Sequence, residues 1–224
     1  MDSTPEVGAG LRDSVWSVPR LRRSTAGLDR YDLVVLGGGT GGLVSALVAA
    51  GIGARVALVE RGKLGGDCLW TGCVPSKSLL ASAELAHRIR HADRVGLTPS
   101  EPIVDWARVM DHVDRARRAI APQDSAARLQ RCGVEVVTGH ACFQAPGTVT
   151  VQGRRLGYRK AIIATGSRPW LPPIAGLADV APLTSDTAWG LASQPAALAI
   201  LGGGAIGLRA RAGVRPARLS GRAD

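Results

Sequence analysis

Aromatic residues are scarce: one Phe, two Tyr and five Trp in 224 residues. A surface that binds single-stranded nucleic acid stacks bases on aromatic rings, and this chain has few to offer. The net charge of +10 nevertheless invites a nucleic-acid reading. Its distribution argues the other way, because residues 208–224 alone carry five Arg against one Asp and the other arginines are scattered. No nucleic-acid partner is therefore expected. The sequence also lacks any apolar run near the ~20 residues of a membrane span, and its N-terminus has no apolar signal core. A cytoplasmic protein without a membrane partner is the expectation. Four cysteines are too few for a secreted disulfide scaffold. What is present, 46% hydrophobic residues and a mean hydropathy of +0.10, is enough for a core. The length fits one large domain, or a domain and part of another.

Residues 1–30 mix Pro, Gly, Ser, Arg and Asp without periodicity and read as a disordered extension. A transit peptide is the rival reading, and four acidic residues count against it. Tyr31 to Leu36 is a buried-strand run, followed by Gly37-Gly38-Gly39-Thr40-Gly41-Gly42 and a helix of small residues to about Gly51. Arg55 to Val59 is a second strand, ending in Glu60. This is G-x-G-x-x-G between strand and helix with an acid some twenty residues on, the pattern of a dinucleotide turn. Gly37 makes the tight turn, Gly39 lets the backbone approach a pyrophosphate, and Gly42 allows close helix packing. The helix N-terminus meets the phosphate charge, and Glu60 takes the ribose hydroxyls.

Next comes Gly65-Gly66-Asp67-Cys68-Leu69-Trp70-Thr71-Gly72-Cys73-Val74-Pro75-Ser76-Lys77. In a regular helix the Cα atoms of Cys68 and Cys73 would lie roughly 8–9 Å apart, whereas a disulfide wants about 4.4–6.8 Å. If the two bond, the backbone leaves regular helix between them, and Gly72 is the residue that allows it. Pro75 suits a first helical turn, and Ser78 to Ile89 continues as an amphipathic helix. That sets Cys73 at a helix N-terminus, where the dipole favours thiolate. A zinc reading competes, since His87 and His91 complete C-x4-C-x13-H-x3-H. It needs the cysteines in a hairpin knuckle, and the helix starting at Pro75 argues against that.

Trp106 to Leu129 is Arg- and Ala-rich at helical spacing and predicts one long amphipathic helix. Val134 to Val137, Ala141 to Phe143 and Thr148 to Val151 suggest a β-meander. Cys132 and Cys142 fall there and read as buried, inert thiols. Lys160 to Thr165 is a further strand, and Trp170 to Pro182 a Pro-rich link between domains. Ala197 to Leu201 predicts a strand leading into a second G-x-G-x-x-G at Gly202, Gly204 and Gly207. In the segment after it, Gly213 and Pro216 are expected to break the helix.

The string G-G-D-C-L-W-T-G-C-V-P-S-K resembles the active-site signature of the class I pyridine nucleotide-disulfide oxidoreductases, the family of dihydrolipoamide dehydrogenase, glutathione reductase and mercuric reductase. The resemblance runs from about Tyr31 to Gly207. It implies a doubly wound α/β fold: a Rossmann-type FAD-binding domain over 31–180 that includes Ala164-Thr165-Gly166 as a second flavin motif, and the start of an NAD(P)-binding domain over 181–207. It implies FAD and NAD(P)H as cofactors, with a redox-active disulfide between Cys68 and Cys73. Cys73 would be the flavin-proximal thiol, Cys68 the interchange thiol, and Lys77 the lysine beside the flavin. The substrate would be a small-molecule or protein disulfide, or Hg(II). The family is homodimeric through a C-terminal domain that also carries its acid-base pair, and none of His87, His91, His112 and His140 lies in such a motif. The family has Glu two residues past the last glycine of the second turn, where Arg209 stands here. A back-translation with freely chosen codons and one base removed returns Glu there. The expectation is that 208–224 is an aberrant, frameshifted tail and that these 224 residues alone do not turn over.

Overall fold

The computed structural model describes residues 28–214. The stretches 1–27 and 215–224, most of the expected extension and of the basic tail, lie outside the described residues. Six strands form one sheet in the order β3-β2-β1-β6-β5-β4. They are β1 (Leu28–Leu36), β2 (Val56–Glu60), β3 (Val134–Thr138), β4 (Ala141–Ala145), β5 (Thr148–Val151) and β6 (Arg154–Ile163). β3, β2, β1 and β6 run parallel, while β5 pairs antiparallel with both β6 and β4. The first strand reaches back to Leu28, three residues into the stretch read as an extension.

Val34, Val35 and Leu36 are all buried, as they must be in a strand covered on both faces. Val34 and Leu36 join Ala57, Val59, Val149 and Val151 in one core cluster, beneath the β4–β5 hairpin. Val35 joins Val56 and Leu58 in the other, beneath α1 (Thr40–Gly51) and α5 (Ala126–Arg131). Helix α1 buries Gly42, Ala46 and Ala50 at every fourth position, a stripe of small residues that lets it lie close to the strands. At the end of the strands away from the turns, Arg154 bonds Asp29, Glu135 and the Tyr31 hydroxyl, tying β1, β3 and β6 together.

The remaining helices are α2 (Gly66–Trp70), α3 (Cys73–Arg90), α4 (Trp106–Ile120) and α6 (Ala205–Val214). Four expectations need correcting. The long helix over 106–129 is broken: α4 stops at Ile120, a 3-10 turn over Ala121–Asp124 carries Pro122, and α5 restarts after the Ser125 cap. Proline at that point has no N–H for the helix ladder. Val134–Thr138 is a parallel edge strand rather than part of the meander, which consists of β4, β5 and the first half of β6. The expected strand Ala197–Leu201 is irregular, since among the described residues no strand lies beside it to accept its backbone bonds. Finally, α6 runs unbroken to Val214. Gly213 does not end it; it sits against Leu79, where a Cβ would come within 2.8 Å of the leucine.

Candidate functional site

The first glycine turn is built by backbone contact. Gly37 has φ +107, and a Cβ there would lie 2.2 Å from the Ala164 carbonyl oxygen. A Cβ on Gly42 would lie 1.8 Å from the Gly37 oxygen. The chain crosses itself here at a distance only glycine permits. Gly39 caps α1 without any side-chain acceptor, so the first amides of the helix point outward uncapped, ready for an anion. Glu60 ends β2 beside the turn. One of its oxygens accepts the Gly38 N–H at 2.5 Å and the other the Gly62 N–H at 2.7 Å, which aims the carboxylate at the turn. Ala164-Thr165-Gly166 follows β6, with the Ala164 N–H donated to the Leu36 carbonyl. A cleft of about 340 Å³ opens over the strand ends, lined by Gly37, Glu60, His140, Thr165, Gly166 and Arg168. This cradle fits a dinucleotide: bare amides for phosphate and a carboxylate for ribose, with Thr40 the one side chain beyond hydrogen in the turn. His140 and Arg168 were not foreseen, because neither sits in a motif.

The cysteine segment leans on that turn. Gly65 donates its N–H to the Gly38 carbonyl at 2.9 Å. A Cβ on Gly66, at φ +55, would stand 2.6 Å from the Gly39 Cα. Nucleotide turn and redox segment thus meet backbone on backbone. Cys68 lies in α2, which ends at Trp70; Thr71 and Gly72 break the helix, and Cys73 opens α3. Gly72 packs on the preceding turn, where a Cβ would be 2.8 Å from the Asp67 oxygen and 3.6 Å from the Cys68 Cα. That is the departure from regular helix that a bonded pair requires.

Both cysteines are free thiols here, half-buried and in hydrogen-bonding contact. Burial pushes the Cys68 thiol above its ordinary range. Its own S–H, donated to Cys73, adds to this, and the Thr40 hydroxyl and the Cys73 amide, both donating to its sulfur, oppose it. The α3 N-terminus was expected to act on Cys73, yet its first amide is aimed at Cys68. Thr40 was also missed, since one hydroxyl in a glycine turn gives no signal in sequence. The sign of the shift makes a test. In the reduced folded chain, carboxamidomethylation of Cys68, followed against pH by mass spectrometry, is expected to rise at higher pH than in the same chain unfolded in urea. A folded profile at lower pH would contradict this arrangement.

Lys77 stands exposed on α3, one turn past Cys73. Cys132 and Cys142 are exposed, contrary to their reading as buried thiols: Cys132 caps the short α5 at the surface, and Cys142 lies on the outermost strand. Cys142 meets His140 Nδ1 at 3.5 Å. His87 and His91 stack at 4.1 Å between ring centres on α3. Among the described residues no group of three or more His, Cys, Asp or Glu is placed to hold a metal ion, and no helix is long and apolar enough to cross a membrane.

The second turn repeats the first in local detail. Gly202 has φ +95 as Gly37 has +107, and a Cβ on Gly207 would approach the Gly202 oxygen at 2.8 Å. Leu208 N–H bonds the Gly204 carbonyl as Leu43 N–H bonds that of Gly39. No sheet stands behind it among the described residues, and Gly202, Gly203 and Gly204 have no neighbour where a Cβ would point.

A doubly wound sheet, a dinucleotide turn and a cysteine pair seated on it define a flavoprotein disulfide reductase type of domain. The chain belongs to the class I pyridine nucleotide-disulphide oxidoreductase family, whose model matches residues 31–212. The family uses FAD and NAD(P)H. Among its relatives, a mercuric reductase of Lysinibacillus sphaericus is 36% identical over 180 residues, covering 80% of this chain and 33% of the relative. A dihydrolipoyl dehydrogenase of Bacillus subtilis is 37% identical over 194 residues, covering 80% and 40%. A glutathione reductase of Burkholderia cepacia is 36% identical over 176 residues, covering 79% and 38%. A solved structure, the Cu(II) complex of the HOCl-induced flavoprotein disulfide reductase RclA from Escherichia coli, superposes with a TM-score of 0.66 at 25% identity, covering 81% of this chain and 39% of that one. The chain thus spans a third to two-fifths of the length of these relatives.

Proposed function

We propose that the chain is the flavin-binding N-terminal part of a reductase that passes electrons to a Cys68–Cys73 disulfide and from there to a disulfide or Hg(II) substrate. The observation that carries this reading is the Gly39–Gly66 contact, which seats the cysteine segment on the nucleotide turn. FAD, when bound, supplies the two-electron relay between NAD(P)H and the cysteines. Gly37, Gly39 and Gly42 leave room for its pyrophosphate, the α1 amides meet the charge, Glu60 takes the ribose, and Ala164-Thr165-Gly166 closes the cleft. Two electrons and two protons open the disulfide to two thiols. The Cys68 thiolate then attacks a substrate disulfide, releasing one thiol, and Cys73 displaces the second as the protein disulfide re-forms. By the family resemblance Cys73, at the start of α3, would be the flavin-side thiol were FAD bound, and Lys77 would add positive charge there.

A second reading is a flavin-binding chain without turnover. It is favoured by the second glycine turn, behind which no sheet stands among the described residues, with Leu201, Ile206 and Leu208 exposed around it. Gly202, Gly204 and Gly207 would contact NAD(P)H only as part of a fuller domain. Homodimerisation is proposed on the family resemblance alone.

The test has two parts. Peptide mapping of the oxidised chain without reductant is expected to return a 68–73 linkage, and two free thiols under those conditions would sink the redox reading. The 224 residues alone are expected to hold FAD substoichiometrically. They are also expected to show no NAD(P)H-dependent reduction of glutathione disulfide, lipoamide or Hg(II) above free flavin. Turnover by the chain unaided would overturn that second expectation and leave the first standing.

A further inference from the structure

The link that follows the flavin segment turns back to the cysteine loop. Trp189 donates its indole N–H to the Thr71 carbonyl at 2.9 Å, across 118 residues of chain. Thr71 lies between the two cysteines, and its own N–H bonds the Asp67 carbonyl at 2.9 Å. The next residue is Gly72, whose backbone crosses that same carbonyl. The indole therefore holds the Thr71–Gly72 peptide, within the loop that brings Cys73 back to Cys68.

Trp189 is itself fixed from two sides. The Arg117 guanidinium of α4 lies 5.4 Å from the centre of the ring, and it is anchored by Asp114 at 2.7 Å. Two residues on, the Leu191 carbonyl accepts the Trp106 indole N–H at 3.0 Å. Trp189 and Leu191 both pack on the Leu79–Trp106–Val113 cluster. This is more fixing than a surface link needs, and within it only the Trp189 indole reaches the Thr71 carbonyl.

We propose that Trp189 is a positioning residue for the redox pair: its N–H holds Thr71 so that Cys68 and Cys73 stay within bonding reach. The inference rests on the redox reading above. Holding two thiols together raises their effective concentration toward each other, so the disulfide resists reduction more strongly with the indole in place. The reaction that measures this is Cys68–S–S–Cys73 plus two glutathione thiols giving two protein thiols and glutathione disulfide. The full chain is equilibrated in glutathione redox buffers, trapped with acid, alkylated, and the 68–73 peptide is quantified.

Trp189→Phe keeps an aromatic ring toward Arg117 and loses the donor, together with part of the indole's bulk. It is expected to be reduced at a ratio of [GSH]² to [GSSG] about three- to fivefold lower than the parent, the ceiling being one ordinary hydrogen bond made only in the disulfide form. Trp106→Phe, which removes a donor from the same segment but not from the cysteine loop, is expected to stay within about twofold of the parent. A Trp189→Phe constant equal to the parent's, or an equal shift in Trp106→Phe, overturns the proposal. If Trp189→Phe does not fold, Arg117→Met decides: a shift in the same direction supports the proposal and an unchanged constant overturns it. A parent chain that never forms the 68–73 disulfide defeats the redox reading instead, so the two failures are distinguishable.

Discussion

Gly42→Ala is expected to cost the domain about 3 kcal/mol or more, the upper end of overpacking penalties, and with it any flavin. The added carbon would stand 1.8 Å from the Gly37 oxygen, a backbone atom that cannot rotate away. Gly37 cannot retreat either, because its own Cα faces the Ala164 carbonyl and its N–H is bonded to Val59 at 2.8 Å. Helix α1 would have to lift off Val35, opening the core face that Leu43, Ala46 and Ala50 fill. On a domain of this size such a loss lowers the thermal midpoint by roughly 6–12 °C. Gly41→Ala is the control. Its Cβ would meet only Ala164 Cβ at 4.0 Å, and alanine is the better helix former by up to about 1 kcal/mol. Its melt, followed by circular dichroism at 222 nm, should match or exceed the parent's. A Gly42→Ala chain that melts with the parent would show that α1 is not seated as described.

Gly66→Ala is expected to leave the fold standing and weaken flavin binding by about tenfold or more, the equivalent of roughly 1.4 kcal/mol. Two costs act at this position. One is the left-handed backbone, φ +55, worth about 1–2 kcal/mol for a residue with a Cβ. The other is the approach to the Gly39 Cα at 2.6 Å, which forces the cysteine segment away from the phosphate turn. Gly96 separates them: it has φ +80 and nothing within 4 Å of its would-be Cβ, so Gly96→Ala carries backbone strain alone. Flavin titration by fluorescence quenching should find Gly96→Ala like the parent and Gly66→Ala weakened. Equal affinities in all three would mean that the Gly39–Gly66 contact does not link the two sites.

The parts of this fold legible in the sequence are those fixed by local chemistry. G-x-G-x-x-G with Glu60 defines its own turn, strand and helix, because Gly42 packs on Gly37 within the turn itself, although Gly37 and Gly39 also meet Ala164 and Gly66 farther along the chain. The C-x4-C string likewise carries its own break at Gly72. What could not be read is set by distant neighbours. Val134–Thr138 alternates like any meander strand, and only its pairing with Val56–Glu60 makes it parallel. Ala197–Leu201 has a strand's composition, but a strand exists only beside another. Gly213 looks like a helix breaker until Leu79 is seen against it. Thr40 and Trp189 touch the cysteine segment through one hydroxyl and one indole, with no spacing to announce them. Pro122 is by contrast a local signal, since a proline seventeen residues into a helical pattern ends or kinks the helix there.

The central position of β1 has a consequence for how the protein is made. One edge of that strand is closed early by β2, which follows within a few residues of α1. Its other edge waits for β6, whose Arg159 pairs with Asp32 across 127 residues. At translation rates of about 5–20 residues per second, the stretch of some ninety residues between β2 and β6 takes roughly 5 to 20 seconds to leave the ribosome. Throughout that interval the nascent chain presents an unpaired hydrophobic strand edge, and it does so with the flavin cleft still lacking the wall that Ala164-Thr165-Gly166 provides. Any cofactor capture would therefore be a late event in biosynthesis, and until then the growing polypeptide exposes an edge able to pair with a neighbour's.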